Sequence, residues 1–277
     1  MMKRNNENLK DYVKHMIEDE KSEATIEKYV RDVTAFLQFA HDIPLSKELV
    51  LEYKSHLEEK GYQVTSINSM LVAVNGYLEF MGCPEYKVKT IRMQRKIYCE
   101  EERELTKEEY KKLLDACKEK ANLNLVMQTI CCTGIRVSEL KYFTVESVRQ
   151  GEITVYCKKK VRTIMIPRDL KKRLLKYAKT KKIKSGNIFI TKNGKPLDRS
   201  NLWSQMKKLC EKAGVLASKV FPHNLRKLFA RSLYNKEKDI AKLADVLGHG
   251  CIETTRIYIM TTGEEHRRQI EGLGLLI

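Results

Sequence analysis

The sequence has no uninterrupted apolar run near the roughly 18 residues a membrane span needs. Its opening residues, Met1 to Asn8, lead into an amphipathic segment rather than an apolar core with a cleavage site. Those absences argue for a soluble, cytoplasmic chain with no membrane partner. The eight cysteines form no C-x-x-C pair and stand beside no histidine at ligand spacing. Neither zinc nor a disulfide framework is expected from them. Adjacent Cys131 and Cys132 point to different sides of a helix and chelate poorly together. Repeats, low-complexity tracts, a glycine-rich phosphate loop and clustered carboxylates are also missing, so no cofactor and no metal are expected.

Apolar residues make up 42% of the 277, enough for two ordinary cores. Charge is less evenly spread. Lysine and arginine total 53 against 36 acids, a net +17. Residues 1–98 hold 15 basic and 15 acidic side chains, so residues 99–277 carry the whole excess, 38 against 21. Lys158–Lys184 alone has thirteen basic residues and a single acid, Asp169. Charge placed this unevenly points to a polyanion, with nucleic acid the default, although a solvated basic face would show the same excess.

The first ninety residues read as helices. Ser22-x-x-Thr25 opens a stripe through Ile26, Tyr29, Val30, Val33, Phe36, Leu37 and Phe39 at helical spacing. Further helices are expected at Leu9–Ile17, Ser46–Lys60 (ended by Gly61), and from Thr65 to Met81. This predicts a four-helix domain over 1–85, with Lys87, Lys89 and Arg92 collecting where the chain leaves it. Residues 86–102 lack apolar periodicity and read as an extended linker. Thr106 and Glu109 form a capping-box pattern that opens a second domain, 103–277. Helices are expected there at 107–119, 122–133, 168–182, 198–213, 223–235 and 238–247. Glu152–Cys157 and Val161–Ile166 alternate like strands around a lysine tip, and Asn187–Ile190 suggests a third strand. The fold class is mainly α with a small β-sheet.

Three short segments hold the candidate chemistry. Arg136 sits in Thr133-Gly134-Ile135-Arg136-Val137-Ser138-Glu139-Leu140, where a helix breaks at glycine and restarts. A guanidinium so placed suits a phosphate, since it donates bidentately and stays charged; taken alone, Arg136 reads rather as a surface arginine paired with a helical acid. His223 and Arg226 lie three apart at a helix start, near the positive end of its dipole, where a plain capping histidine is as ready a reading. His249 lies in a glycine-flanked turn, and Tyr258 follows nine residues later. Taken alone, Tyr258 reads as a packed aromatic.

In this order, Arg136, His223-x-x-Arg226, His249 and Tyr258 resemble the active-site set of the tyrosine recombinase (phage integrase) family. The surrounding wording is similar too: T-G-I-R-V-S-E-L, H-N-L-R and L-G-H-x-x-I-x-T-T-x-x-Y. The resemblance covers nearly the whole chain, since Ser22–Phe39 resembles that family's N-terminal core-binding domain. It implies a four-helix core-binding domain followed by an α+β catalytic domain. The family also places a lysine in a β-hairpin, and Lys158-Lys159-Lys160-Val161-Arg162 fits its shorter form with Lys158 at the catalytic place and Lys160 as runner-up. Lys159, Lys160 and Arg162 are then candidate DNA contacts, together with Lys87, Lys89 and Arg92. The chain departs from the common pattern at Lys227, Gly250, Met165 and Lys159, none of which removes a catalytic group.

The resemblance implies a site-specific recombinase that cuts and rejoins duplex DNA at a specific target through a 3′-phosphotyrosine, without metal or ATP. Tyr258 would attack, Arg136 and Arg226 would clamp the non-bridging oxygens, and His249 would add a hydrogen bond. His223 would act as base, and Lys158 would protonate the departing 5′-oxygen. It implies four protomers on two DNA sites and leaves room for an accessory DNA-bending protein. Integration and excision of mobile DNA is the expected use. Xer-type resolution of chromosome dimers and topoisomerase-like relaxation are the alternatives, and a non-catalytic DNA-binding protein is disfavoured because every catalytic position is filled.

Overall fold

The computed structural model describes residues 2–41, 43–93, 104–157, 160–191 and 193–275. It divides into two compact units, Met1–Arg95 and Lys96–Ile277.

The first unit is built from α1 (Met2–Glu18), α2 (Glu23–Ala40), α3 (Lys47–Glu59) and α4 (Val64–Phe80). Phe36, Leu49, Val50, Tyr53, Leu57, Ile67, Leu71 and Val74 form its main core, and Tyr12, Met16, Val33 and Tyr77 a second cluster. Ser46 caps α3 by accepting from the Leu49 amide at 3.2 Å. The chain after α4 is fastened rather than free. Asn75 exchanges two hydrogen bonds with the Val88 backbone, at 2.9 and 3.1 Å. Two helical turns earlier Asn68 does the same for Ile91, at 2.9 and 2.7 Å. Each asparagine amide thus substitutes for the neighbouring strand that this segment lacks. Tyr86 and Ile91 pack against the main core and Val88 is part of it, so the stretch read as linker begins as a strap on α4.

In the second unit Thr106 and Glu109 form the capping box, at 2.9 and 3.1 Å, and open α5 (Lys107–Ala116). Next come α6 (Ala121–Thr133), a 3₁₀ turn (Val137–Tyr142) and α7 (Val145–Gln150). The hairpin of β1 (Glu152–Cys157) and β2 (Lys160–Met165) is antiparallel, with Val155 opposite Arg162 and Cys157 opposite Lys160. It is followed by α8 (Arg168–Thr180), α9 (Arg199–Lys207), α10 (Cys210–Ala213), α11 (Pro222–Glu237), α12 (Ile240–Leu247), α13 (Ile252–Ile259) and α14 (Gly263–Glu271). Val126, Met127, Ile130, Ile135, Phe143, Val155, Leu174, Phe189 and Leu225 are core residues, and α11 lies against α6, α12 and α13.

The architecture is mainly helical with one two-stranded sheet among the described residues. The third strand expected at Asn187–Ile190 does not form. Only isolated bridges join Thr144 to Asn187 and Ile190 to Pro196. Consecutive Ile188 and Phe189 are both buried, so the segment plugs the core instead of alternating as a sheet strand does. The helix expected over 198–213 is interrupted between α9 and α10. α7, α13 and α14 are additional helices. In α13, Ile252, Thr254, Thr255, Ile257 and Ile259 are β-branched, so packing against α11 and α12 overrides a weak local preference.

Candidate active site

The site is assembled where three helix ends meet. α6 stops at Gly134, which adopts φ +64°. A Cβ there would lie 2.3 Å from Cδ1 of Phe229 and 3.1 Å from a methyl of Leu247, so only glycine lets α11 and α12 close on this turn. Two residues on, Arg136 starts the 3₁₀ turn. Its amide donates to Oε2 of Glu139 at 2.8 Å and its Nη1 to Oε1 at 3.0 Å. Glu139 is 3% exposed and also accepts from Nη2 of Arg162 at 2.6 Å. One buried carboxylate therefore aligns two arginines, and each charge compensates the burial of the other.

His223 and Arg226 sit one turn apart on the first two turns of α11. Arg226 is 1% exposed. Its Nη1 donates to the Gly134 carbonyl and its Nη2 to the Leu247 carbonyl at 2.7 Å and to Nε2 of His249 at 3.0 Å. A guanidinium carries five N–H bonds; these contacts use three, and its Nε has no partner. Burial, then the charge of Arg136, pushes its pKa down to about 10, which leaves it charged at neutral pH.

α12 ends at Gly248, φ +65°, and delivers His249. Because Arg226 can only donate, Nε2 of His249 accepts. The ring proton therefore sits on Nδ1 and is donated to Oγ1 of Thr255 at 2.9 Å. Burial first, then Arg226, Arg136, Arg162 and His223, pushes this imidazole down to about 4. Solvent reaches the His223 ring, yet burial and the charges of Lys227, Arg226, Arg199 and Arg136 lower its pKa as well. Above pH 6.5 the His249 ring is neutral in the folded and unfolded chain alike. Between 6.5 and about 4 the unfolded chain takes up a proton that the folded chain refuses. Stability is therefore expected to fall as pH falls through that window, by up to about 1.4 kcal/mol per unit from this group. Urea midpoints from pH 7 to 4.5 test this. His249→Gln should show a shallower slope than wild type, and equal slopes would contradict the assignment.

Tyr258, on α13, is 7% exposed and packs with Ala230, Leu243 and Leu247. Its ring centroid lies 5.1 Å from that of His223, 5.0 Å from that of His249, and 5.9 Å from the Arg226 guanidinium carbon. Among the described residues its hydroxyl has no hydrogen-bond partner. A cavity of about 630 Å³ opens there, lined by Arg136, Arg199, Trp203, His223, Arg226 and Tyr258 among others, and none of the described lining residues is a carboxylate. Three arginines, of which among the described residues only Arg136 is paired with an acid, Glu139, favour an anion with several oxygens.

The structure thus gathers Arg136, His223, Arg226, His249 and Tyr258. Lys158 and Lys159 lie outside the described residues, as does the side chain of Lys160. Arg162 does not face outward as a DNA contact. Its side chain is 12% exposed and turns inward to Glu139 and to the Val246 carbonyl, at 2.7 Å; a buried acid and an unpaired helix-end carbonyl attract it more strongly than solvent does. On the first unit Lys89 and Arg92 are exposed, while Lys87 pairs with Glu79 at 2.8 Å. Arg199 and Trp203 were not singled out in the sequence, where they sit inside an ordinary helical run. Thr255, whose hydroxyl accepts the Nδ1 proton of His249, stands in the T-T of the quoted motif. No group of three His, Cys, Asp or Glu side chains among the described residues could hold a metal ion, and no described helix is long and apolar enough to cross a membrane.

Residues 103–265 match the phage integrase family, and residues 9–81 match the phage integrase N-terminal SAM-like domain. Over 276 residues the chain is 31% identical to the tyrosine recombinase XerA of Pyrococcus furiosus, covering 97% of this chain and 94% of that one. It is 26% identical to the tyrosine recombinase XerD of Halalkalibacterium halodurans, over 93% and 94% of the two chains. In fold it is similar to a lambda integrase dimer bound to a core site, with a TM-score of 0.74 at 19% identity over 93% and 96% of the chains. A lambda integrase tetramer bound to a Holliday junction is similar at TM-score 0.72 and 19% identity, over 91% and 76%.

Proposed function

The chain belongs to the phage integrase family of tyrosine recombinases, and from that premise we propose that Tyr258 opens a DNA strand by attacking a phosphodiester held by Arg136 and Arg226. The phenolic oxygen bonds to phosphorus as the bond to the 5′-oxygen breaks, giving a 3′-phosphotyrosine and a free 5′-hydroxyl. The phenol proton passes to His223, the neutral imidazole beside it; its lowered pKa keeps it in the accepting form. Lys158 supplies the proton for the leaving oxygen. The covalent ester conserves the bond energy, so the reverse step rejoins a strand without ATP.

The in-line transition state gathers negative charge on the non-bridging oxygens, where fixed cationic donors act most strongly. Arg226 has N–H bonds to spare for them. In this arrangement Nε2 of His249 is the acceptor for Arg226, so the ring holds that guanidinium in place. The observation that carries this reading is the meeting of Tyr258 with two arginines and His223 on a cavity wall with no carboxylate among its described residues.

Similarity to recombinases bound to DNA and assembled on a Holliday junction supports duplex DNA as the partner and exchange by an assembly of protomers. Full-length likeness to XerA and XerD supports a two-domain recombinase of that kind as readily as one that moves mobile DNA. The chemistry is tested by incubating the protein with a nicked duplex carrying its target site, in EDTA. An SDS-resistant adduct is expected, with the nucleotide mapped to the peptide containing Tyr258. An adduct on another residue, or none despite binding, overturns the proposal.

A further inference from the structure

We propose that Arg162 is a positioning residue that ties the β1–β2 hairpin, and so the lysine tip it carries, to the two turns bearing Arg136 and His249. The inference rests on the reading that a tip lysine protonates the leaving 5′-oxygen.

Arg162 lies on β2, two residues beyond the first residue of that strand, Lys160. Its two terminal nitrogens go to different elements. Nη2 donates to Oε2 of Glu139 at 2.6 Å, and Nη1 to the Val246 carbonyl, in the last turn of α12, at 2.7 Å. The same Glu139 carboxylate holds the amide and Nη1 of Arg136. The residue after Val246 is Leu247, whose carbonyl accepts from Arg226. The arginine stem fills the space over Gly248: a Cβ there would lie 2.6 Å from Cδ and 3.0 Å from Nε of Arg162. That glycine is required twice, by its φ of +65° and by this side chain.

The hairpin needs such a tether. Ile153, Val155 and Ile164 bury one face, but Tyr156, Val161 and Met165 on the other are 65%, 62% and 70% exposed, so the ribbon has apolar packing on one side only. A two-stranded ribbon is marginal alone. A planar guanidinium can bridge a carboxylate and a carbonyl at fixed angles, which a lysine ammonium cannot do with the same geometry.

The test compares single-turnover cleavage of a nicked target duplex with cleavage of the same duplex carrying a 5′-bridging sulfur at the scissile phosphate, whose thiolate leaves without a proton. Arg162→Gln is expected to cut the normal duplex on the order of 10²-fold more slowly, the scale of a small misplacement. On the sulfur duplex it should return to within about tenfold of wild type, with duplex affinity unchanged. Arg162→Lys, which keeps the charge near Glu139, should fall between. Lys158→Ala and Lys160→Ala are run beside them, and rescue of one identifies the acid. Equal slowing of Arg162→Gln on both duplexes, with a lysine variant rescued, overturns the proposal and leaves the lysine reading intact. Weaker duplex binding with normal cleavage also overturns it, by making Arg162 a DNA contact. If neither lysine variant is rescued the lysine reading fails instead, and rescue of Arg162→Gln then still marks it as positioning the leaving-group acid.

Discussion

Tyr258→Phe is expected to bind the target duplex as wild type does, and to lose strand cleavage by on the order of 10⁴-fold or more, the scale seen when an activated nucleophile is removed. The substitution is unusually clean here. The ring stays packed with Ala230, Leu243 and Leu247 and keeps its approach to the His223 and His249 rings. Its hydroxyl gives up no hydrogen bond to any described residue. The unfolding midpoint should stay within about 0.5 kcal/mol of wild type. Cleavage and duplex affinity, measured on the same preparations, separate the outcomes. Residual adduct at wild-type rate would place the nucleophile elsewhere, and loss of affinity together with cleavage would assign Tyr258 to binding.

Replacement of Arg226 should be nearly as damaging, through two separable routes. Arg226→Ala leaves the Gly134 and Leu247 carbonyls and Nε2 of His249 without their donor. Buried acceptors cost about 1–3 kcal/mol each when stranded, and the emptied volume adds to that. A urea midpoint should register the loss directly. Arg226→Lys keeps a cation but not the fork, since an ammonium cannot reach all three acceptors and still face a phosphate. It should fold, bind duplex, and cleave on the order of 10³-fold more slowly, in the range of a lost transition-state arginine. Cleavage by Arg226→Lys within tenfold of wild type would show that bulk charge suffices, and that the three-way anchoring of this guanidinium has no part in the chemistry.

Several features of the molecule are legible along the chain. The stripe from Ile26 to Phe39, the Thr106–Glu109 capping box and the alternation of β1 and β2 are written in spacings of two to four residues, which local geometry obeys. The segments around Gly134 and Gly248 announce helix ends because glycine takes the left-handed conformation that stops a helix. Other features could not be read in this way. Ile188 and Phe189 look like a strand but plug a core. The β-branched run around Tyr258 argues against the helix it forms, because its helicity comes from α11 and α12 rather than from its own residues.

The sequence by itself determined which chemical groups are available and in what local relation: an arginine after a glycine turn, a histidine and an arginine one helical turn apart, a histidine beside glycine, and a tyrosine nine residues later. Only the tertiary structure decided what each group faces. Arg226 meets the carbonyl of Gly134 across 92 positions, and Arg162 meets Glu139 across 23. No periodicity spans such distances, so packing alone turned Arg162 from an outward basic residue into an inner tether. Packing also set the proton of His249 on Nδ1, since Arg226 occupies its other nitrogen. Side-chain identity and spacing are properties of the chain. Which partner a side chain finds depends on the few places where distant backbone groups are left unpaired and must be satisfied.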